Sequence, residues 1–513
     1  MTAHPDARSP VAPHSRTRAD PPAGPVLGTT VEHGVRRFLG IPYAEPPVGD
    51  RRFRPPHFHP RWTEPRDASR HGATAPQAAP VGPLANTIPT LRTPGDDHLV
   101  LNVWSPPDGE RLPVMVFVHG GSFTSGSGSI GGYDGTSFAR DGVVLVTINY
   151  RLGAEGFAWF GDGEANLGLR DQIAALEWVR DNIGAFGGNP DAVTVFGESA
   201  GGMSIGALLA MSAARGLFRR AIMQSGSTFH AVDAATARLV ARRLAGGLGV
   251  APSHEGLAGV PVSDVVEAQT RMEAAVFARP FRRLWGDVAT NLMPFEPVVD
   301  GVTLPQRPLA ALQAGCADDV ELMVGWNAEE ARLFLPAVGP TGTRRWVLPL
   351  AAAHTGLPPL RGARAYLDAY GREPGAALAG MVGDWLYRVP ALRTAAAHPR
   401  THVYEFGWPS PAFDGRLGAC HAVELPFVFD NLDHPDWLPL VGESPPPDLA
   451  AEVHAAWIAF ARTGDPGWAA HSAAAPVIGR FGDVVAPSGH LGIWDGRREG
   501  HGTAARSGRR PVR

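Results

Sequence analysis

Lysine is missing from all 513 residues, so every one of the 46 basic side chains other than histidine is an arginine. Together with the surplus of alanine, glycine and proline, this has the signature of GC-rich coding bias and carries no functional message. Cysteine is nearly missing too. Cys316 and Cys420 are too few for a disulfide framework or a zinc cluster, so both are expected as free thiols and stability must come from packing. Charge of one sign is not in excess either: the formal net charge is -4, which argues against a basic face that neutralises phosphates and against nucleic acid as a partner. No apolar run is long enough to cross a bilayer. Residues 1–24, rich in Pro, Ala, Arg and His, lack the apolar stretch of a secretory signal. The expectation is a cytoplasmic protein without stable membrane association. Histidines spaced in "HPDARSPVAPHSR" and "HFHP" have no carboxylate or thiol partners at ligand spacing, so no metal is expected.

What is present is apolar bulk, 44% of the chain, enough for one large domain or two to three ordinary ones. Valine-rich runs, "PVMVFVHGG" (113–121) and "DGVVLVTINY" (141–150), read as buried strands. "NLGLRDQIAALEWVRDNIGAF" spaces Leu169, Ile173, Leu176, Val179 and Ile183 along one face of an amphipathic helix. "DAVTVFG" returns to strand, "GGMSIGALLAMSAA" suits a buried helix, and "VELMVG" and "THVYEFGW" predict later strands. Strands alternating with helices imply a large, mostly parallel sheet flanked by helices, an α/β fold. Pro- and Gly-rich stretches such as 75–95 are scattered instead of marking one linker. A single domain over residues 25–495, with insertions, is therefore expected between loose tails at 1–24 and 496–513.

One short stretch, "FGESAGGMS", sets Ser199 between a predicted strand and a predicted helix. With 62 glycines in the chain, Gly-x-Ser-x-Gly alone can arise by chance; the strand-turn-helix context is what gives it meaning, a sharp elbow holding a hydroxyl at its apex. A serine hydroxyl needs a base to take its proton, a group to orient that base, and donors for the developing oxyanion. "VHGGSF", after the strand at 113–118, places Gly120, Gly121 and Ser122 in a loop whose backbone N–H groups can face a ligand.

The blocks "FLGIPYAEPPVGDRRFRPP", "LNVWSPP", "PVMVFVHGGSF", "TINYRLGAEGF", "ANLGLRDQIAALEWVRDNIGAFGGNPDAVTVFGESAGG" and "PFEPVVDG" resemble, in order, those of the carboxylesterase type B family, the cholinesterase-like branch of the α/β-hydrolases. The resemblance runs from about Gly28 to about Asp495. It implies an α/β-hydrolase fold and a serine esterase that forms an acyl-enzyme on a small-molecule ester, with no metal or organic cofactor. By resemblance Ser199 is the nucleophile, and the oxyanion hole comprises the N–H groups of Gly121, Ser122 and Ala200. "GWNAEEARLF" matches the block around the acid and selects Glu330, with Glu329 as runner-up; "GACHAVELPFVF" selects His421 as the base. Glu198 and Ser225 resemble supporting positions. Many members close a loop with a disulfide where Ala75 and His98 stand here, so the loop at 75–95 is expected to be held by packing alone. Ser122 replaces a glycine or alanine. Trp326, Phe123, Phe295 and Trp385 are candidates for lining the pocket. Amides and carbamates, attacked by the same machinery, and a non-catalytic binding role remain as alternatives. Oligomeric state and natural substrate are not legible.

Overall fold

Strands form where β-branched and aromatic residues run together, and among the described residues they assemble into a twelve-stranded sheet. The computed structural model describes residues 15–79, 87–335, 342–472 and 474–496. Its first half supplies β1 (Arg16–Ala19), β2 (Val26–Thr30), β3 (Arg36–Pro42), β4 (Arg66–Asp67), β5 (Val100–Ser105), β6 (Leu112–Val118), β7 (Val144–Ile148) and β8 (Gly188–Glu198). Then come β9 (Arg220–Gln224), the short pair β10 (Val232–Asp233) and β11 (Val298–Val299), and β12 (Glu321–Asn327), β13 (Thr401–Phe406) and β14 (Gly479–Phe481). The spatial order is β1-β2-β3-β5-β7-β6-β8-β9-β12-β13-β14, with β4 beside β2 and with β10 and β11 forming a separate two-stranded sheet.

Two halves of the large sheet differ in character. From β7 through β14 every neighbouring pair is parallel, and the valine-rich β6 and β7 are buried on both faces beneath helices, as parallel strands require. The other end is an antiparallel ribbon, apart from the short β4, which runs parallel to β2. The helix Leu167–Asn182 buries the apolar face expected of it. Ala200–Leu208 is buried along its whole length, which its small residues permit.

The N-terminal boundary differs from expectation. Residues 16–19, placed by their composition in a loose tail, form β1 and pair with Val26–Thr29. The two arginines of "RTRA" lie at the solvent edge on Asp67 and Asp20, while Ala19 is buried. Residues 1–14 and 497–513 lie outside the described residues. Both cysteines are free, Cys420 buried and Cys316 half-buried. No helix of the described residues is long and apolar enough to cross a membrane.

Candidate active site

In a parallel sheet the loops leaving the carboxyl ends of neighbouring strands converge on one edge. Ser199 leaves β8, Ser225 leaves β9, Glu330 follows β12 and His421 follows β13, and these four strands are adjacent. Ser199 itself has φ 54° and ψ -122°, a conformation that L-residues rarely adopt, between the end of β8 and the helix Ala200–Leu208. Such strain persists only where surroundings over-determine it. They do: a Cβ on Gly197 would come within 2.6 Å of the Val118 carbonyl oxygen, and one on Gly201 within 1.9 Å of the same atom. Glycine at both positions lets the elbow press against the end of β6.

The glycine loop lies against this elbow. A Cβ on Gly120 would stand 3.1 Å from Ser199 Cβ. The next three residues all take positive φ, Gly121 at 109°, Ser122 at 53° and Phe123 at 62°, a backbone path that gathers successive N–H groups on one side. Tyr150 O–H donates to the His119 carbonyl at 2.9 Å and Gly153 N–H to that of Phe123 at 2.7 Å, pinning both ends. Among the described residues, the N–H groups of Gly121, Ser122 and Ala200 have no acceptor within the protein. The Ser122 side chain is exposed.

His421 Nδ1 donates to Glu330 Oε2 at 2.7 Å, and Glu330 Oε1 accepts the Asn327 N–H at 2.8 Å. The His421 N–H also donates to the Glu330 carbonyl at 3.1 Å. Glu329, the runner-up, turns away: it pairs with Arg332 at 2.6 Å and accepts the Ala419 N–H. At the other ring nitrogen, His421 Nε2 lies 2.9 Å from Glu198 Oε1, the residue immediately before Ser199, in ion-pair range but without the alignment of a hydrogen bond. Burial disfavours the charged ring, but the carboxylates of Glu198 and Glu330 outweigh it and hold the His421 pKa well above its ordinary value. Ser225 is buried with its hydroxyl unpartnered among the described residues.

Sequence reasoning missed three further participants. Glu424, three residues after His421 and just before the short helix Leu425–Val428, is buried and accepts from Asn327 Nδ2 at 2.6 Å and Gln224 Nε2 at 3.1 Å. Burial and the nearby Glu198 push it up to about 7. Two rings, Phe334 at 5.0 Å and Tyr387 at 4.7 Å, flank His421. Phe334 stood inside a quoted motif and Glu424 three residues from the histidine, so proximity was the available signal; Tyr387 had none. Of the aromatic lining candidates, Phe123, Phe295 and Trp326 are buried in the core and Trp385 stacks on Trp494.

The loop at 75–95 is held by more than packing. Thr74 and Thr93 exchange hydrogen bonds at its base, and the Gln77 amide pairs with both backbone groups of Gly126. Ala75 and His98 are both buried; residues 80–86 lie outside the described residues. No group of three or more His, Cys, Asp or Glu among the described residues is arranged to hold a metal ion.

Elbow, glycine loop and carboxyl-edge loops on this sheet define an α/β-hydrolase. The model of the carboxylesterase family matches residues 15–347. The chain is 39% identical over 468 residues to a phenmedipham hydrolase of Pseudarthrobacter oxydans and 39% over 460 to a para-nitrobenzyl esterase of Bacillus subtilis, covering 86% of this chain and 89% of each relative. A solved para-nitrobenzyl esterase structure superposes with a TM-score of 0.79 at 35% identity, covering 91% of this chain and 96% of the other. A Geobacillus stearothermophilus carboxylesterase gives 0.78 at 34%, covering 93% and 100%. The chain belongs to the carboxylesterase family and is an enzyme of that class, which removes the non-catalytic alternative.

Proposed function

We propose that the protein hydrolyses small-molecule carboxylic esters through an acyl-enzyme on Ser199. What carries the reading is the position of His421, anchored by Glu330 at Nδ1 and brought by Nε2 against the residue adjoining Ser199. His421 takes the hydroxyl proton as Ser199 Oγ attacks the carbonyl carbon, then delivers it to the leaving alcohol. A water, deprotonated by the same ring, releases the acid. Glu330 fixes the tautomer that leaves Nε2 free and stabilises the imidazolium. The N–H groups of Gly121, Ser122 and Ala200, free of internal acceptors and helped by the positive end of the helix after Ser199, receive the oxyanion.

Glu198 and Ser225 support this arrangement. Glu198 favours the imidazolium, and so strengthens the base while restricting its neutral form to higher pH. The similarity to a para-nitrobenzyl esterase supports ester substrates. Amides and carbamates, which offer the same electrophilic carbon, are the second reading. A panel of p-nitrophenyl esters of increasing acyl length, run beside matched carbamates and anilides, separates these classes. A fluorophosphonate probe with peptide mapping is expected to label Ser199. Folded wild-type protein that neither labels there nor turns over any of these substrates would overturn the proposal.

A further inference from the structure

Between the helices Pro374–Gly383 and Val389–Ala396 the hydrogen bonding slips by one residue. Asp384–Arg388 form a single π turn, closed by Val389 N–H donating to the Asp384 carbonyl. Such turns are rare and recur at functional sites, where the extra residue re-aims the side chains around it. One face of this turn meets the site. Tyr387 packs on the imidazole of His421 at 4.7 Å and 34°, and a Cβ on Gly383, just before the turn, would lie 3.5 Å from Glu330 Cβ.

Other residues of the turn are clamped by the segment Ala486–Trp494. His490 Nε2 and Tyr366 O–H both donate to Asp384 Oδ2 at 2.7 Å. Arg388 donates to the carbonyls of Pro487 and Ala486 at 2.7 and 3.4 Å, and its guanidinium lies over Trp326. Trp494 stacks on Trp385 and donates to the Tyr366 oxygen at 2.9 Å. Ala486 N–H donates to Glu405 at 2.6 Å, tying the segment to β13.

His421 needs a lateral constraint because it has a carboxylate near each ring nitrogen, at 2.7 and 2.9 Å. Phe334, the other flanking ring, is 39% exposed, whereas Tyr387 is 5% exposed and therefore the better-fixed wall. We propose that Tyr387 is a positioning residue, its ring holding the His421 imidazole in line with Ser199, and that Ala486–Trp494 keeps it in place by locking the π turn. The inference rests on His421 being the base.

The test compares full-length wild type with Tyr387→Leu, Tyr387→Phe and His490→Gln on p-nitrophenyl acetate. Folding is checked by circular dichroism and active sites are counted by burst titration. In Tyr387→Leu, kcat and kcat/KM fall together by about 10- to 100-fold, the scale of a misplacement near 1 Å, with KM nearly unchanged. Tyr387→Phe keeps the ring and recovers most of that loss. His490→Gln, outside the site, lowers kcat in the same pattern by about threefold to tenfold. A folded Tyr387→Leu with wild-type kcat, a loss confined to KM, or a Phe variant as impaired as Leu overturns the proposal. Should Tyr387→Leu fail to fold, unchanged kcat in folded His490→Gln overturns it. Failure of the underlying reading shows elsewhere, as turnover surviving in Ser199→Ala.

Discussion

His421 on Glu330 and His490 on Asp384 are both buried imidazoles, each 2.7 Å from a carboxylate oxygen. They differ in what meets the other side of the ring. Around His490 stand the rings of Tyr366 and Tyr370, and Asp384 Oδ2 is already shared with the Tyr366 hydroxyl. Around His421 stand Glu198, the strained Ser199 and a loop of unsatisfied N–H groups. A histidine–carboxylate pair is a common way to satisfy two buried polar groups. It becomes a proton shuttle when an ionisable nucleophile and preorganised donors share its open side. In the proposed mechanism those stand on the carboxyl edge of the parallel strands beside His421; rings flank both imidazoles, but Ser199 and Glu198 adjoin only the first.

The contrast breaks most sharply under substitution. Ser199→Ala or His421→Gln should lower kcat by about 10⁵- to 10⁶-fold, measured with p-nitrophenyl acetate against a catalytically dead background; Asp384→Asn should stay within about tenfold of wild type. If Asp384→Asn were as damaging as His421→Gln, the two pairs would not be functionally distinct.

Next in size is the acid. Glu330→Gln should cost about 10³- to 10⁴-fold in kcat, since an amide can hold the ring in the wrong tautomer. Glu329→Gln, which weakens the pairing with Arg332 and can keep an acceptor for the Ala419 N–H, should cost under about twofold. The reverse order of effects would move the acid by one position.

Glu198→Gln sharpens the electrostatic side. Its charge raises the His421 pKa, so neutralising it lets the ring lose its proton at lower pH. The acid limb of the kcat/KM profile should then move to lower pH. A limb that stayed in place or moved up would show that Glu198 does not set the protonation of the base.

Much of this site was readable in the chain because its parts are local. The elbow announces itself through glycines around Ser199 after a β-branched run, and the valine-rich β6 and β7 through composition. Glu330 and His421 each sit in a motif, although the choice of Glu330 over Glu329 came from resemblance and not from side-chain direction, which depends on the turn after β12. The rest is tertiary. Glu424, Asn327 and Gln224 meet from the ends of β9 and β12 and the turn after His421, and have no shared sequence signal. The π turn carrying Tyr387 lies inside a helical pattern that hides its slipped hydrogen bond. At the N-terminus, β1 was obscured by arginines that are solvent-facing edge residues.

The smallest expected effect concerns a buried carboxylate with no histidine on it. Glu296, just before β11, accepts both its bonds from Asn291 Nδ2, at 3.0 and 3.2 Å. Burial pushes it up to about 8, outweighing the opposing pull of Asn291 and Arg307. An unfolded chain loses this proton near pH 4.3. Between that value and about 8 the native state therefore binds the proton that the unfolded state has released, so Glu296 makes stability fall as pH rises through this window and level off above it. Glu296→Gln removes the titration and can keep an acceptor for Asn291. In thermal melts the Tm of the variant, relative to wild type, should be higher at pH 8.5 than at pH 5, by a few degrees at most. A Tm difference between variant and wild type that is independent of pH would mean that Glu296 is charged in the native state, leaving burial without the effect attributed to it.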